Sequence, residues 1–127
     1  MLLLGTATVF ANQLPTNGNR LIVSIEKSDD LASLDLRLAN LEKQGTFVEL
    51  RDMQGNTWFS QYVWRKHGYA KKLNLKGMPD GNYLLSIRHS EATIVQMLNL
   101  SNGVLTVEKH QRMEVPTQPG KDLAKGK

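Results

Sequence analysis

Hydrophobic and polar residues alternate with a period of two through most of the chain. The run SLDLRLA places Leu34, Leu36 and Leu38 on one face, with Asp35 and Arg37 on the other. Such alternation is typical of a β-strand that buries one face. It recurs in RLIVSIE, FVELRD, KLNLK, NYLLSIR, ATIVQML and GVLTVEK. Turn-forming residues separate these runs, so the sequence predicts an all-β chain, an antiparallel β-sandwich of about seven to eight strands.

One stretch fits a helix as well as strands. Over residues 28–45, Ser28 is a suitable helix cap, and leucines recur near helical spacing at positions 31, 34, 38 and 41. The strand interpretation is favoured because a lone helix would interrupt an otherwise regular series of strands.

The two ends of the chain differ from this regular middle. Residues 1–11, MLLLGTATVFA, are small and apolar, and Val9 and Ala11 occupy the −3 and −1 positions of a signal-peptidase site. We therefore expect a signal peptide at 1–11, although it lacks the usual basic start; a first β-strand is the alternative. A polar linker at 12–19, a β-sandwich domain at 20–109 and a basic, flexible tail at 110–127 complete the predicted organisation.

Charge and composition narrow the classes of function. The chain has 127 residues, which suits one domain, and no cysteine, which excludes disulfides and thiolate metal sites. The net charge is +4, but from Lys109 onward five Lys/Arg face two Asp/Glu, which leaves eleven against ten in the rest. A nearly neutral body does not favour nucleic-acid binding. No segment is long and apolar enough to predict a membrane span.

Two stretches carry a more specific pattern. VELRDMQGNTW resembles the strand–D-x-x-G–strand hairpin of the carboxy-terminal sorting domains of the type IX secretion system. LNLKGMPDGNYLLSI resembles their pattern L-x-L-x-x-L-P-x-G-x-Y-x-L-x-I, with Met78 at a leucine position. It also resembles a related family of small exported immunoglobulin-like proteins of unknown function. The resemblance implies an immunoglobulin-like β-sandwich and an exported envelope or surface protein, with structural signature residues Asp52, Gly55, Pro79, Gly81 and Tyr83.

The second stretch indicates a turn that positions a tyrosine. Pro79 fixes one backbone dihedral, and Gly81 can adopt a positive φ. This turn would deliver Tyr83 to the start of a core strand. We expect its ring to be buried and its hydroxyl to bond upstream backbone, as in a tyrosine corner.

Aromatic residues concentrate at positions 58–69, and two arrangements of them are open. Alternation places Trp58, Tyr62 and Trp64 on one face, and Phe59 and Val63 on the other. A three-residue turn at positions 53–55 pairs residue 50 with Trp58 and buries the tryptophan face, whereas a two-residue turn pairs it with Phe59. The first is favoured because it keeps the polar residue 61 out of the core.

In either arrangement one outward face keeps large apolar groups next to basic residues, which is typical of a contact surface. A solvated edge strand is the alternative interpretation. The predicted partner-binding residues are Phe47, Phe59, Val63, Trp64, Arg65, Lys66, Tyr69, Lys71 and Lys72.

No catalytic pattern accompanies this surface. His67, His89 and His110 are dispersed, and no calcium-loop, nucleophile-elbow or phosphate-loop motif occurs. We therefore expect no enzyme activity, catalytic residue, metal or cofactor.

The leading hypothesis is a non-catalytic exported module of a bacterial cell envelope or secretion complex. It would bind an envelope or secretion-system protein through a hairpin at Trp58–Lys72. The expected location is the periplasm, the outer membrane or the cell surface. The alternative is a carbohydrate- or peptide-binding domain at the cell surface that uses Trp64 and Tyr69.

Overall fold

Two antiparallel β-sheets enclose one hydrophobic core. The computed structural model describes residues 20–116; the expected signal peptide, the linker and residues 117–127 of the expected tail lie outside them. One sheet has the strand order β1-β2-β5 and the other has the order β4-β3-β6-β7-β8. The described residues contain no helix, and the all-β prediction is confirmed. The strands are β1 (Ile22–Lys27), β2 (Ser33–Ala39), β3 (Thr46–Asp52), β4 (Thr57–Val63), β5 (Tyr69–Asn74), β6 (Gly81–Arg88), β7 (Ala92–Ser101) and β8 (Val104–Pro116).

The core is formed by the apolar positions of this alternation. In β2, Leu34, Leu36 and Leu38 are buried, and Arg37 between them is exposed. The strand interpretation of this segment is confirmed, and the helix alternative is wrong. Leu36 pairs with Ile25 of β1 on one side and with Lys71 of β5 on the other. Each fully buried leucine stabilises the fold by about 2 kcal/mol relative to an exposed one.

Two connections cross between the sheets at the same end of the sandwich, which we call the crossover end. Residues 40–45 lead from β2 to β3, and residues 64–68 lead from β4 to β5. The two are hydrogen-bonded to each other, from the Leu41 N–H to the His67 carbonyl (2.9 Å) and from the Lys43 N–H to the Lys66 carbonyl (3.0 Å). A left-handed conformation at Arg65 (φ 58°) turns the chain from one sheet to the other.

This crossing corrects the prediction of a hairpin at Trp58–Lys72. Strand β4 pairs with β3, and β5 pairs with β2, so the two strands belong to different sheets. The segment is a corner of the sandwich, held by the hydrogen bonds to residues 41–43.

The last strand extends beyond the expected domain boundary at residue 109. Residues 110–116, expected to begin a flexible tail, form the end of β8, where Met113 pairs with Val95. An irregularity separates this part from the first part of the strand, and the buried Gln96 lies there with its Nε2 donating to the Glu108 carbonyl (2.7 Å). The Arg112 guanidinium donates to the Val23 carbonyl of β1 (3.3 Å), so β8 also closes one side of the sandwich.

Tyr83 occupies the position that the sequence predicts for a tyrosine corner. Its ring is buried at the start of β6, and its hydroxyl donates a hydrogen bond to the Pro79 carbonyl. Gly81 has φ 147°, a conformation that side chains rarely adopt. Burial raises the pKa of Tyr83, and the carboxylates of Asp52 and Asp80 raise it further. The turn from Pro79 to Tyr83 therefore has a structural role.

We expect substitutions at Tyr83 to separate the hydroxyl from the ring. Tyr83→Phe should lower the free energy of unfolding by about 1 kcal/mol, the net value of one hydrogen bond. Tyr83→Ala should lower it by about 3–5 kcal/mol because it also leaves a cavity. Urea unfolding followed by tryptophan fluorescence measures both, and equal stability of all three proteins would contradict the assignment.

Candidate functional site

Asp52 organises the turn between β3 and β4. Its Oδ1 accepts the backbone N–H groups of Gln54 and Asn56, each at 2.9 Å. Its Oδ2 accepts the side-chain amide of Asn56 and the indole N–H of Trp58, each at 3.0 Å. The indole hydrogen bond is the largest of the effects that lower the pKa of Asp52 to about 2, and the bonds from Asn56 and Gln54 add to it. Gly55 completes the turn with φ 92°.

A β-bulge after this turn decides which face of β4 is buried. The three-residue turn forms as expected, with the Asp52 N–H bonded to the Asn56 carbonyl (3.0 Å). Arg51 pairs with Thr57, but the register then shifts, and Leu50 pairs with Phe59. Trp58 is the extra residue, so the predicted pairing of Leu50 with Trp58 is wrong.

The bulge also reverses the predicted exposure of the aromatic residues. Trp58, Tyr62 and Trp64 were expected in the core, and they are 44%, 57% and 55% exposed. Val63 was expected in a partner surface, and it is 3% exposed. One additional residue in β4 therefore exchanges the two faces of the strand.

Trp58 has a structural role despite its exposure. Besides bonding Asp52, its ring meets the Tyr83 ring edge-on, with centroids 6.4 Å apart and planes at 77°. This geometry is favourable for aromatic pairs. Trp58 thus joins the β3–β4 turn to the buried tyrosine.

Tyr62 and Trp64 form an ordered pair at the crossover end. Their rings stack with centroids 5.6 Å apart and planes at 25°. They lie over Gly45, where a Cβ atom would overlap the Tyr62 hydroxyl. The Arg65 guanidinium lies 5.9 Å from the centroid of the Trp64 ring. The absence of a side chain at residue 45 therefore makes room for this pair.

Side chains of the neighbouring strands β3 and β6 extend the surface formed by Tyr62 and Trp64. Tyr62 pairs with Phe47 of β3, and Phe47 pairs with Arg88 of β6. The Arg88 guanidinium lies 4.9 Å from the centroid of the Phe47 ring. We call the surface formed by Phe47, Tyr62, Trp64, Arg65 and Arg88 the aromatic corner. Arg88 belongs to it, although no local pattern in the sequence indicates that β6 lies beside β3.

A second cluster fills the gap between the edges of β4 and β5. The Tyr69 hydroxyl donates to Gln61 Oε1 (2.6 Å), and burial raises the pKa of Tyr69. The Lys71 ammonium lies 5.6 Å from the centroid of the Phe59 ring. Phe59 and Tyr69 are partly buried and pack against the core. This cluster, which we call the seam, closes one side of the sandwich.

The structure therefore distributes the predicted partner-binding residues over several surfaces. Phe47, Trp64 and Arg65 lie in the aromatic corner, and Lys66 lies exposed beside them. Phe59, Tyr69 and Lys71 belong to the seam. Val63 is in the core, which excludes it as a contact residue. Lys72 forms ion pairs with Asp30 (3.1 Å) and Asp29 (3.8 Å) instead of facing the aromatic residues.

Residues 20–116 contain no group of three or more His, Cys, Asp or Glu side chains that could hold a metal ion. His89 is buried, with its Nδ1 accepting the Glu91 N–H (3.1 Å) and its Nε2 bonded to the Leu41 carbonyl (3.0 Å). Within the same range no helix has the length and apolarity to cross a membrane.

Comparisons with known proteins add no relatives to this description. No model of a protein family matches the chain, and no curated protein matches it. The surface itself therefore has to carry the inference of function.

Gly45→Ala should displace the Tyr62 ring and disrupt its stacking on Trp64. Because the Tyr62 side chain is exposed and can rotate away, the free energy of unfolding should fall by less than about 1 kcal/mol. Near-ultraviolet circular dichroism reports the ring pair, and the control is Gly68→Ala at the other crossing connection, where a Cβ would meet the Leu38 carbonyl (3.3 Å) instead of the ring pair. An unchanged spectrum for Gly45→Ala would contradict the close packing of Tyr62 on Gly45.

Asp52 should make stability depend on pH in the acid range. Its folded pKa of about 2 lies below the ordinary value of 3.8, so the ionised form is favoured in the folded state. The stabilisation is present above the ordinary value and is lost as the pH falls through about 2. Thermal melting of the parent and of Asp52→Asn should therefore differ at neutral pH and converge in acid. A constant difference across this range would refute the prediction, and NMR titration of the carboxyl gives the pKa directly.

Proposed function

We propose that this chain is a non-catalytic, exported interaction module of a bacterial cell envelope or secretion complex, and that it binds a protein partner through the aromatic corner. The observation that carries the proposal is the exposure of two large aromatic side chains, Tyr62 and Trp64, which stack on each other. Aromatic and arginine residues of this kind dominate the binding energy of many protein interfaces.

The order of the aromatic corner favours binding over incidental exposure. Tyr62 is stacked on Trp64, and Phe47 beside them is covered by Arg88. A side chain that is stacked on its neighbour loses less conformational entropy when a partner covers it than an unsupported one. Each guanidinium lies over a ring and keeps its donors for carboxylates or carbonyls of a partner.

The strand order supports an immunoglobulin-like assignment. With β1, β2 and β5 as strands A, B and E, the other sheet follows as C′, C, F and G, with β8 as an additional strand. Tyr83 then opens strand F, where a tyrosine corner is found in such domains. Together with the two motifs that resemble type IX sorting domains and related exported proteins, this arrangement supports an extracytoplasmic role.

The carbohydrate-binding alternative has less support from the geometry. It needs Trp64 and Tyr69 as an exposed platform, but Tyr69 is partly buried and bonded to Gln61. The neighbour of Trp64 is Tyr62, and these rings stack on each other instead of lying side by side. A flat sugar platform would require adjacent coplanar rings, so a protein partner fits the corner better. We expect no binding of the chain on a glycan array.

Co-purification from an envelope extract tests the proposal. The full chain, immobilised through its C-terminus, should capture a discrete protein, and Tyr62→Ser with Trp64→Ser should reduce the recovered amount by about tenfold or more. The control is Leu31→Ser with Met113→Ser, since these apolar side chains are 63% and 58% exposed and lie outside the corner.

The control should capture as much as the parent. Equal capture by the Tyr62/Trp64 variant, with all proteins melting alike, would exclude the aromatic corner as the binding surface.

A further inference from the structure

We propose, on the basis of the function just proposed, that the partner contributes an extended, acidic segment that pairs as an added strand with the free edge of β4. Strand β4 is the edge of the five-stranded sheet on the side of the aromatic corner. An edge strand presents unpaired N–H and C=O groups that can bond another chain.

The composition of β4 distinguishes it from the other strand edges. The two sheets have β1, β5, β4 and β8 as their edges. Charged residues occupy three of them: Glu26 and Lys27 in β1, Lys71 and Lys72 in β5, and several in β8, which also ends in Pro116. Charge and proline are the usual means of preventing pairing at an edge.

Strand β4, TWFSQYV, contains neither a charged residue nor proline, and six of its seven residues are exposed or partly exposed. Of the edges that residues 20–116 provide, β4 is thus the one without this protection. Its seven residues are also long enough to pair with a typical strand.

The cations beside this edge indicate the charge of the added segment. Arg65 and Lys66 lie in the connection that directly follows β4, and the Lys71 ammonium lies 5.6 Å from the centroid of the Phe59 ring of β4. Within residues 20–116, none of these three has a carboxylate within 4.0 Å, whereas Arg20, Lys72 and Lys109 do. Unpaired cations around an uncharged edge are complementary to carboxylates on the partner.

This charge distribution favours a different partner over a second copy of the chain. A second copy brings the same unpaired cations to the interface. Like charges at an interface oppose association. In a segment with carboxylates on alternate residues, these carboxylates share one face of the added strand.

A peptide titration tests this inference on the full chain. The probe is a peptide of about nine residues in which threonine alternates with glutamate, enough to span β4. Two matched peptides serve as controls. In the first, lysine replaces glutamate. The second keeps glutamate but carries N-methyl groups on alternate backbone nitrogens, along the edge that would pair with β4. NMR amide shifts and hydrogen exchange locate the bound peptide.

We expect the glutamate peptide to shift and protect the β4 amides, and the lysine peptide to bind at least about tenfold more weakly. The N-methylated peptide should lose this binding because it cannot complete the backbone ladder. Arg65→Asn with Lys66→Ser should weaken glutamate-peptide binding by about tenfold, since asparagine tolerates the left-handed conformation at residue 65. Lys27→Ser with Lys76→Ser, which removes the same charge elsewhere, should change it less than about twofold.

Several outcomes would overturn the inference. One is that the N-methylated peptide binds as tightly as the unmethylated glutamate peptide. Others are that the glutamate peptide protects the amides of β1 or β8 instead of β4, or that it protects no β4 amide at millimolar concentration. The last is that the free chain forms a dimer through β4. Capture of an envelope protein that depends on Tyr62 and Trp64, combined with any of these, would leave the interaction module standing and remove only the added strand.

Discussion

The hydrogen bond from the Trp58 indole to Asp52 is the interaction on which the exposed surface depends. It accompanies the bulge that adds one residue to β4, and this residue decides that Phe59 and Val63 face inward while Tyr62 and Trp64 face outward. Because side chains alternate along a strand, a local shift of one position changes the environment of every residue that follows. The bulge beside this turn thus sets the character of the surface at the opposite end of the strand.

Features that depend on residues close together in the sequence could be predicted from it, whereas features that depend on contacts between distant residues could not. The core of β2 and the burial of Tyr83 were predictable because each rests on a pattern within a few residues, the alternation of leucines or the turn from Pro79 to Tyr83. Which face of β4 is buried could not be predicted, because a pattern of alternating residues does not reveal a single inserted residue. The corner at residues 64–68 was not predictable either, because it is held by residues 41–43, which lie in another part of the sequence. The strand character of residues 110–116 likewise depends on pairing with β7.

The candidate site combines two neighbouring surfaces with different requirements. The seam is part of the packing, since Phe59 and Tyr69 cover the core between the sheets. The aromatic corner lies outside the core and rests on backbone that is already fixed by the hydrogen bonds between the crossing connections. Residues predicted as one surface therefore divide into those that hold the sandwich closed and those that are free to meet another molecule.

The uncharged edge of β4 also has a consequence for the order in which the chain folds. Strand β4 pairs with β3, its neighbour in sequence, whereas the paired residues of β5 and β2 are 31 to 41 positions apart in the sequence. Local pairs close faster than distant ones. We therefore expect the β4 edge to form before the second sheet is complete beside it, and an exposed edge of this kind promotes association between incompletely folded chains. Strand β4 would then be the part of the incompletely folded protein that is most prone to aggregation. The extent of aggregation would depend on the protein concentration and on how long the edge stays exposed.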